Sequence, residues 1–274
     1  MPKETRSNHF SPKFSNQFWA GKAGAITRLF RGERGEIWNG RTSAKMWGCK
    51  EGLYTQAVED GYEKVETRIA PLYKKLMAHV ALSPIERLHW SQWILCQFAR
   101  TPTIMLELAE MPGDIFKALN FECDLPRDTV GKNLKGQESL GLEFPCSQEL
   151  IGFIALRDWV ILRPSEGEFF IKGDVPVMIR GAFIEDDARI VYPLSPDRCF
   201  VATVLGTFPP HQLQADVQLK PGGTKQFHQM IASVSEREVI CRPDHFSPEL
   251  VAVVQENLSK SVRYIHHGLL PHDW

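Results

Sequence analysis

The stretch DWVILRPSEGEFFIKGDVPVMIRG, residues 158–181, marks a change from helical to strand periodicity along the chain. Two apolar runs, residues 159–162 and 169–171, flank the SEG of residues 165–167, a pattern typical of a strand, a turn and a strand. Two more apolar runs between residues 188 and 206 predict further strands. The second half of the chain is therefore predicted to form an antiparallel β-sheet.

Helical patterns dominate the first half. In residues 61–80 the apolar side chains recur at helical spacing, and Pro71 predicts a kink or a break within that helix. The next helix has a clear start, because Ser83 can cap it, Pro84 suits its first position and Glu86 completes a capping box. A helical block is therefore expected ahead of the strands.

Residues 26–38 predict a small N-terminal β-hairpin, because two apolar arms flank the turn sequence RGERG. Helices in the first half and strands in the second indicate an α+β fold rather than an alternating parallel sheet. We expect a single domain over residues 1–274, a length that can bury a sizeable core. Frequent Pro and Gly in residues 111–145 predict a mobile insertion or lid.

Bulk composition restricts the classes of function. Lys and Arg total 32 against 33 Asp and Glu, so the net charge of -1 provides no long-range attraction to nucleic acid or to an anionic membrane. No apolar run reaches the ~20 residues of a membrane helix, and the N-terminus lacks the apolar stretch of a secretory signal. The six scattered cysteines indicate reduced, mostly buried thiols rather than a disulfide framework or a zinc site. We therefore expect a cytoplasmic protein without a membrane partner.

Three polar residues of the first half can perform chemistry, and each also has a structural interpretation. His9 can act as a general acid or base, or it can be a surface histidine. Glu66 shares a helix face with Glu63, so the two carboxylates can hold a divalent cation or form a solvated stripe. Arg100 ends an apolar helix and, if buried, needs an anionic partner such as Asp174, a glutamate or a substrate phosphate.

The strand periodicity does not predict an acidic residue at Asp174, which lies between two apolar strand patterns. Gly173 allows a sharp turn before it, and Pro176 removes a ladder donor after it. A carboxylate at such a strand break can coordinate a metal or orient a histidine, and it can equally close an Asx-turn.

Five segments, in this order, resemble the domain of unknown function family 4238, which is widespread in bacteria and also occurs in fungi. They are NHFSPKF at 8–14, LY at 53–54, QFARTP at 97–102, FIKGDVPV at 170–177 and YPLSP at 192–196. Glu66 is the best match to a helical glutamate of the family. The similarity therefore spans nearly the whole chain.

The resemblance implies that one set of polar residues performs the function of the family. Its members here are His9, Glu66, Arg100 and Asp174. This chain departs from the family pattern at Gly173 and Val175, which replace the usual Ser and Asn, and at Ala70 and Pro71, where a second glutamate is expected. The family description assigns no reaction.

We expect from these residues a hydrolase acting on a phosphodiester or nucleotide substrate, nuclease-like and assisted by a divalent metal such as Mg²⁺ or Mn²⁺. Glu66 and Asp174 would hold the ion or activate water. His9 would be the general acid or base, and Arg100 would stabilise negative charge in the transition state.

Asn8, Lys45 and Tyr54 are the expected substrate-binding residues. The alternative is a non-catalytic binding or regulatory protein, or a defence effector, in which the same polar residues form a buried structural network. That network would hold the N-terminal segment against the late strands, and the sequence leaves both hypotheses open.

Overall fold

A computed structural model describes most of the chain, and its contacts divide the chain into two compact units. The described residues are 7–51, 53, 55–102, 144–181, 185–208 and 214–258. The first unit comprises residues 1–10, 48–72 and 82–155. The second comprises residues 11–47, 73–81 and 156–274. The expectation of a single domain stays a prediction, and nearly all of the predicted lid, residues 111–145, lies outside the described residues.

Helices and strands together give an α+β fold, with the longest helices in the first half as predicted. The described helices are α1 (Lys13–Asn16), α2 (Gln56–Met77), α3 (Pro84–Ala99), α4 (Gln148–Leu156), α5 (Gly223–Val234) and α6 (Pro248–Asn257). The described strands are β1 (Ser7–His9), β2 (Ala25–Arg31), β3 (Ile37–Ser43), β4 (Cys49–Glu51), β5 (Asp158–Arg163), β6 (Lys172–Gly173), β7 (Met178–Arg180), β8 (Arg189–Ser195), β9 (Arg198–Thr203), β10 (Gln214–Gln218) and β11 (Glu238–Cys241).

The first unit combines helices with a short two-stranded antiparallel sheet, in which β1 pairs with β4. Helix α3 starts as predicted: the Ser83 hydroxyl accepts the Glu86 N–H, and the Glu86 carboxylate accepts the Ser83 N–H. Val58, Tyr62 and Cys96 form a small buried cluster between α2 and α3. This cluster provides the apolar setting for the polar residues described below.

Helix α2 runs through Pro71 for 22 residues, so the predicted break is wrong. Proline removes one backbone donor, but Ile69, Tyr73 and Leu76 around it are fully buried. Burial of an amphipathic face stabilises most protein helices more than local propensity does, and here it maintains the helix across the proline. Among the described helices, none combines the length and the apolar character that crossing a membrane requires.

The second unit contains two larger sheets. The five-stranded sheet has the order β10-β5-β9-β8-β7, and the β10–β5 pair is parallel while the other pairs are antiparallel. The four-stranded sheet has the order β3-β2-β11-β6 and is antiparallel throughout. A single apolar cluster includes residues of both sheets and of α5 and α6. Residues of both sheets and of these two helices therefore share one apolar core.

The predicted hairpin at residues 26–38 is confirmed as β2 and β3, and β3 extends to Ser43. Of the strand, turn and strand predicted around residues 165–167, the first strand is confirmed as β5 and the turn is formed, but the second strand is wrong. Phe170 is buried but donates its N–H to Pro196, and only Lys172–Gly173 of this segment pair in a sheet, with β11.

Candidate functional site

Asn8 holds strand β1 to two other parts of the first unit. Its Nδ2 donates to Glu59 Oε2 at 3.2 Å, and its Oδ1 accepts the N–H of Leu53 at 2.9 Å. The residue is only 1% exposed. Both ends of the amide are therefore engaged within the fold, and the substrate-binding role expected for Asn8 stays a prediction.

Arg100 lies at the C-terminal end of α3 and joins three elements through one buried side chain. Its Nη1 forms an ion pair with Glu66 Oε1 at 2.8 Å, and its Nη2 donates to the backbone carbonyl of His9. The guanidinium carbon lies 4.7 Å from the centre of the Tyr62 ring, within the range of cation–π attraction. The structure thus brings together three of the four residues that the sequence singled out.

The Arg100 and Glu66 side chains differ in exposure. The Arg100 side chain is 1% exposed, whereas that of Glu66 is 25% exposed and remains in contact with solvent. His9 is half-buried, and its contact with Arg100 uses a carbonyl that any residue type would supply. The anionic partner predicted for a buried Arg100 is therefore a glutamate, while the role of the His9 imidazole is not fixed by this contact.

Asp174, the fourth residue, belongs to the second unit, where its carboxylate accepts backbone N–H groups at the start of β11. Oδ1 accepts from Glu236 at 2.8 Å, and Oδ2 accepts from Arg237 at 2.8 Å and Glu238 at 3.2 Å. The Asp174 N–H donates to the Glu238 carbonyl at 3.1 Å. These partners are distant in sequence, so the carboxylate joins two segments rather than closing a local Asx-turn.

Burial raises the pKa of Asp174 to about 7, and the negative charges of Glu238 and Glu236 add to this effect. The N–H groups of Arg237 and Glu236 act in the opposite direction, because they favour the ionised carboxylate. An acid with a raised pKa in the folded state makes folding less favourable as pH rises through the interval between its unfolded and folded pKa values.

Close packing explains why this chain has a glycine at Gly173. A Cβ at this position would lie 2.0 Å from Ser235 Oγ, so any side chain here would displace that hydroxyl. The Ser235 hydroxyl donates to the Ile231 carbonyl at the end of α5. The departure from the family's usual Ser at Gly173 is therefore compatible with close packing between β6 and α5.

The substrate-binding roles expected for Lys45 and Tyr54 stay predictions. Lys45 is exposed in the turn after β3, and Tyr54 lies outside the described residues. Among the residues that the structure describes, no group of three or more His, Cys, Asp or Glu side chains could hold a metal ion. Glu66 and Asp174 belong to different units, so the shared divalent-ion site expected for them stays a prediction.

Sequence reasoning missed Lys172, which is 0% exposed at the edge of the four-stranded sheet. Its Nζ donates to Ser11 Oγ at 3.0 Å, to Ser15 Oγ at 3.2 Å and to Asn16 Oδ1 at 3.2 Å. Nζ also lies 5.3 Å from the centre of the Trp47 ring. A lysine inside the apolar run FFIKGDVPV was the available signal, because a buried ammonium group requires polar partners.

Asn16 connects this network to the loop after β3. Its Nδ2 donates to the carbonyls of Ser11 at 3.1 Å, Ala44 at 3.3 Å and Trp47 at 3.1 Å. Ser11 donates to Asn16 Oδ1 at 2.6 Å and does not cap α1, whose N-cap position is occupied by Pro12. The tetrapeptide HFSP occurs at residues 9–12 and again at 245–248, and in the second copy the Ser247 hydroxyl accepts the Leu250 N–H and caps α6.

Fold and site together define a class: an α+β protein in which polar motif residues hold separate chain segments through buried hydrogen bonds. The chain belongs to the family described as Protein of unknown function (DUF4238), whose sequence profile matches residues 8–245 of the 274. The matched range includes all four candidate catalytic residues and Lys172. No curated protein and no solved structure matches the chain.

Proposed function

We propose that this protein is a non-catalytic binding or regulatory protein, in which the polar motif residues stabilise the arrangement of the N-terminal segment. The observation that carries the proposal is the Arg100 side chain, whose two terminal nitrogens contact Glu66 and the His9 carbonyl while the guanidinium lies over Tyr62. An arginine buried in this way is already neutralised and oriented by the fold, so a substrate phosphate would have to displace Glu66 to reach it.

The same pattern holds at the other motif residues, which supports the proposal further. Asn8 uses both its donor and its acceptor, and Asp174 accepts three backbone N–H groups. Polar groups satisfied within the fold are stabilising elements, whereas a catalytic site needs groups that are directed at the reacting atoms.

Replacing Arg100 with Met tests the proposal, and we expect a loss of about 3 kcal/mol in the free energy of unfolding. Removing one partner of a buried charge pair leaves polar groups unpaired. Glu66→Gln should also destabilise, by about 1–3 kcal/mol, because it leaves the buried Arg100 guanidinium without its anion although the amide oxygen can still accept a hydrogen bond. Chemical denaturation of each variant gives both values.

Glu63→Gln is the matched control, because Glu63 lies exposed on the same helix and should change stability by less than about 0.5 kcal/mol. A wild-type melting temperature for Arg100→Met would contradict the structural role of Arg100.

The hydrolase expected from the sequence is the second candidate, and one observation favours it. His9 is half-buried and Glu66 is part-exposed, and both residues contact the same guanidinium, His9 through its backbone carbonyl. We propose on this basis that the His9 imidazole and the Glu66 carboxylate divide acid and base roles at a phosphodiester or nucleotide, with or without Mg²⁺ or Mn²⁺.

His9→Ala separates the two candidates, because the substitution retains the carbonyl that Arg100 contacts. For a non-catalytic protein, we expect no turnover of single-stranded DNA, RNA or nucleotides by the wild type, with or without added Mg²⁺ or Mn²⁺. For a hydrolase, His9→Ala should lower turnover by roughly 10²–10⁴-fold while the melting temperature stays close to that of the wild type. That second result would refute the non-catalytic proposal.

A further inference from the structure

His79, just beyond the C-terminal end of α2, has a backbone conformation that residues other than glycine rarely adopt. Its φ is 59°, and the Val80 N–H bonds back to the Lys75 carbonyl at 2.9 Å, as in a left-handed helix C-cap. Glycine is the usual residue at such a cap, and a side chain there costs about 1 kcal/mol or more. The presence of histidine suggests that its imidazole has a role.

The imidazole of His79 lies between an aspartate and an arginine of the five-stranded sheet. Its Nδ1 contacts Asp216 Oδ2 on β10, and Arg198 Nη2 on β9 contacts its Nε2. Since a guanidinium only donates, Nε2 must be the acceptor, and the proton lies on Nδ1 and is donated to Asp216. These two contacts fix the orientation of the imidazole.

A second guanidinium completes this cluster. Arg163 Nε at the end of β5 forms an ion pair with Asp216 Oδ1 at 2.6 Å. Two guanidinium cations thus contact the imidazole and one carboxylate, so positive charge exceeds negative charge among these four side chains. The other Arg198 contact is a hydrogen bond from Nη1 to the Asp197 carbonyl, which contributes no compensating charge.

The open donors of this cluster are the terminal amino groups of Arg163. The Arg163 side chain is 42% exposed, and these two groups have no hydrogen-bond partner among the described residues. The Nε of Arg198 also lacks a hydrogen-bond partner in the described part of the chain but is buried, and the His79 side chain is 42% exposed. Free arginine N–H groups beside a second guanidinium match the oxygens of a phosphate, which arginine binds through parallel hydrogen bonds.

We propose that His79, Arg163 and Arg198, held around Asp216, form a binding site for the phosphate group of a phosphate monoester. Arg163 supplies the open pair of donors and Arg198 a second positive charge. Asp216 orients His79 and Arg163, so these side chains need little reorganisation on binding. The site belongs entirely to the second unit and involves none of the residues on which the proposed function rests.

Titration of the full chain with inorganic phosphate and with AMP, followed by calorimetry and ³¹P NMR, tests the site. We expect saturable binding, and Arg163→Met should weaken it at least tenfold because it removes the open donors. Arg163→Lys should fall in between, since it keeps the charge but loses the paired geometry. Tighter binding of AMP would indicate a nucleotide phosphate, and equal binding of both would indicate that the phosphate group alone is recognised.

Arg242→Met is the matched control, because Arg242 is also a part-exposed arginine paired with an aspartate, at 34% side-chain exposure. It should bind phosphate within twofold of the wild type. His79→Gly, which suits the positive φ, should fold normally and bind phosphate more weakly. Absence of saturable binding by the wild type, or unchanged affinity in Arg163→Met, would overturn the proposal.

Discussion

Asp174→Asn is expected to lower the free energy of unfolding by about 3 kcal/mol at pH 5. Both side-chain oxygens accept backbone N–H groups, from Glu236 on one side and from Arg237 and Glu238 on the other. At pH 5, below the pKa of about 7, the acid is protonated, and its carbonyl and hydroxyl oxygens can both still accept. An asparagine amide has a single acceptor oxygen, so its NH₂ group must face at least one of these buried donors. A buried donor without an acceptor costs about 1–3 kcal/mol, and the opposed donors add to this.

The matched control is Asp158→Asn. Asp158 is 3% exposed and accepts one backbone N–H, that of Phe208 at 2.9 Å, through Oδ2. Its asparagine variant can retain this bond by placing the amide oxygen there, so we expect it to lose less than about 1 kcal/mol. Equal losses in the two variants would show that the three-donor arrangement at Asp174 has no special importance.

The cost of Asp174→Asn should also depend on pH. The pKa of Asp174 is raised from 3.8 to about 7 in the folded protein, so the folded state retains a proton that the unfolded state has lost between these values. The wild type therefore loses stability as pH rises through this interval and levels off above it. The difference in unfolding free energy between wild type and Asp174→Asn should be about 2–3 kcal/mol larger at pH 5 than at pH 8.

These expectations change how Asp174→Asn can be used. As a test of catalysis it would be ambiguous, because loss of activity and loss of the fold would occur together. His9→Ala is the cleaner probe, since alanine retains the backbone carbonyl to which Arg100 Nη2 donates.

Local sequence rules predicted the features that depend on neighbouring residues. The capping box at Ser83 and Glu86 is formed, because both of its bonds lie within three residues. The hairpin at β2 and β3 follows from its own turn. The tetrapeptide HFSP shows the limit of such rules, because its serine caps a helix at Ser247 but at Ser11 bonds to Asn16 and to the distant Lys172.

Long-range contacts account for what the sequence could not predict. The sequence indicated that a buried Arg100 needs an anion, but it left Asp174, a glutamate and a phosphate as equal alternatives. The selection of Glu66 depends on how α2 and α3 pack. The parallel pairing of β10 with β5 is equally non-local, because β10 lies some fifty residues beyond β5 and no turn sets its register.

Lys172→Met should lower the free energy of unfolding by about 2–4 kcal/mol. Methionine nearly fills the volume but removes the Nζ donors, so the hydroxyls of Ser11 and Ser15 lose a charged partner in a fully buried site. Hydrogen bonds to charged groups contribute about 1.5–3 kcal/mol each, and methionine partly offsets their loss by not requiring desolvation of a cation. Lys225→Met, at an exposed position on α5, is the control and should be nearly neutral.

A mutant cycle separates the network from simple packing. If Lys172 stabilises the fold through its hydroxyl partners, its replacement should cost at least 1 kcal/mol less in a Ser11→Ala, Ser15→Ala background, because the orphaned acceptors are then absent. If shape alone matters, the cost of Lys172→Met should be the same in both backgrounds. Additivity would therefore refute the network, whereas a coupling of this size would show that a lysine of the late strands fixes the N-terminal segment through hydrogen bonds.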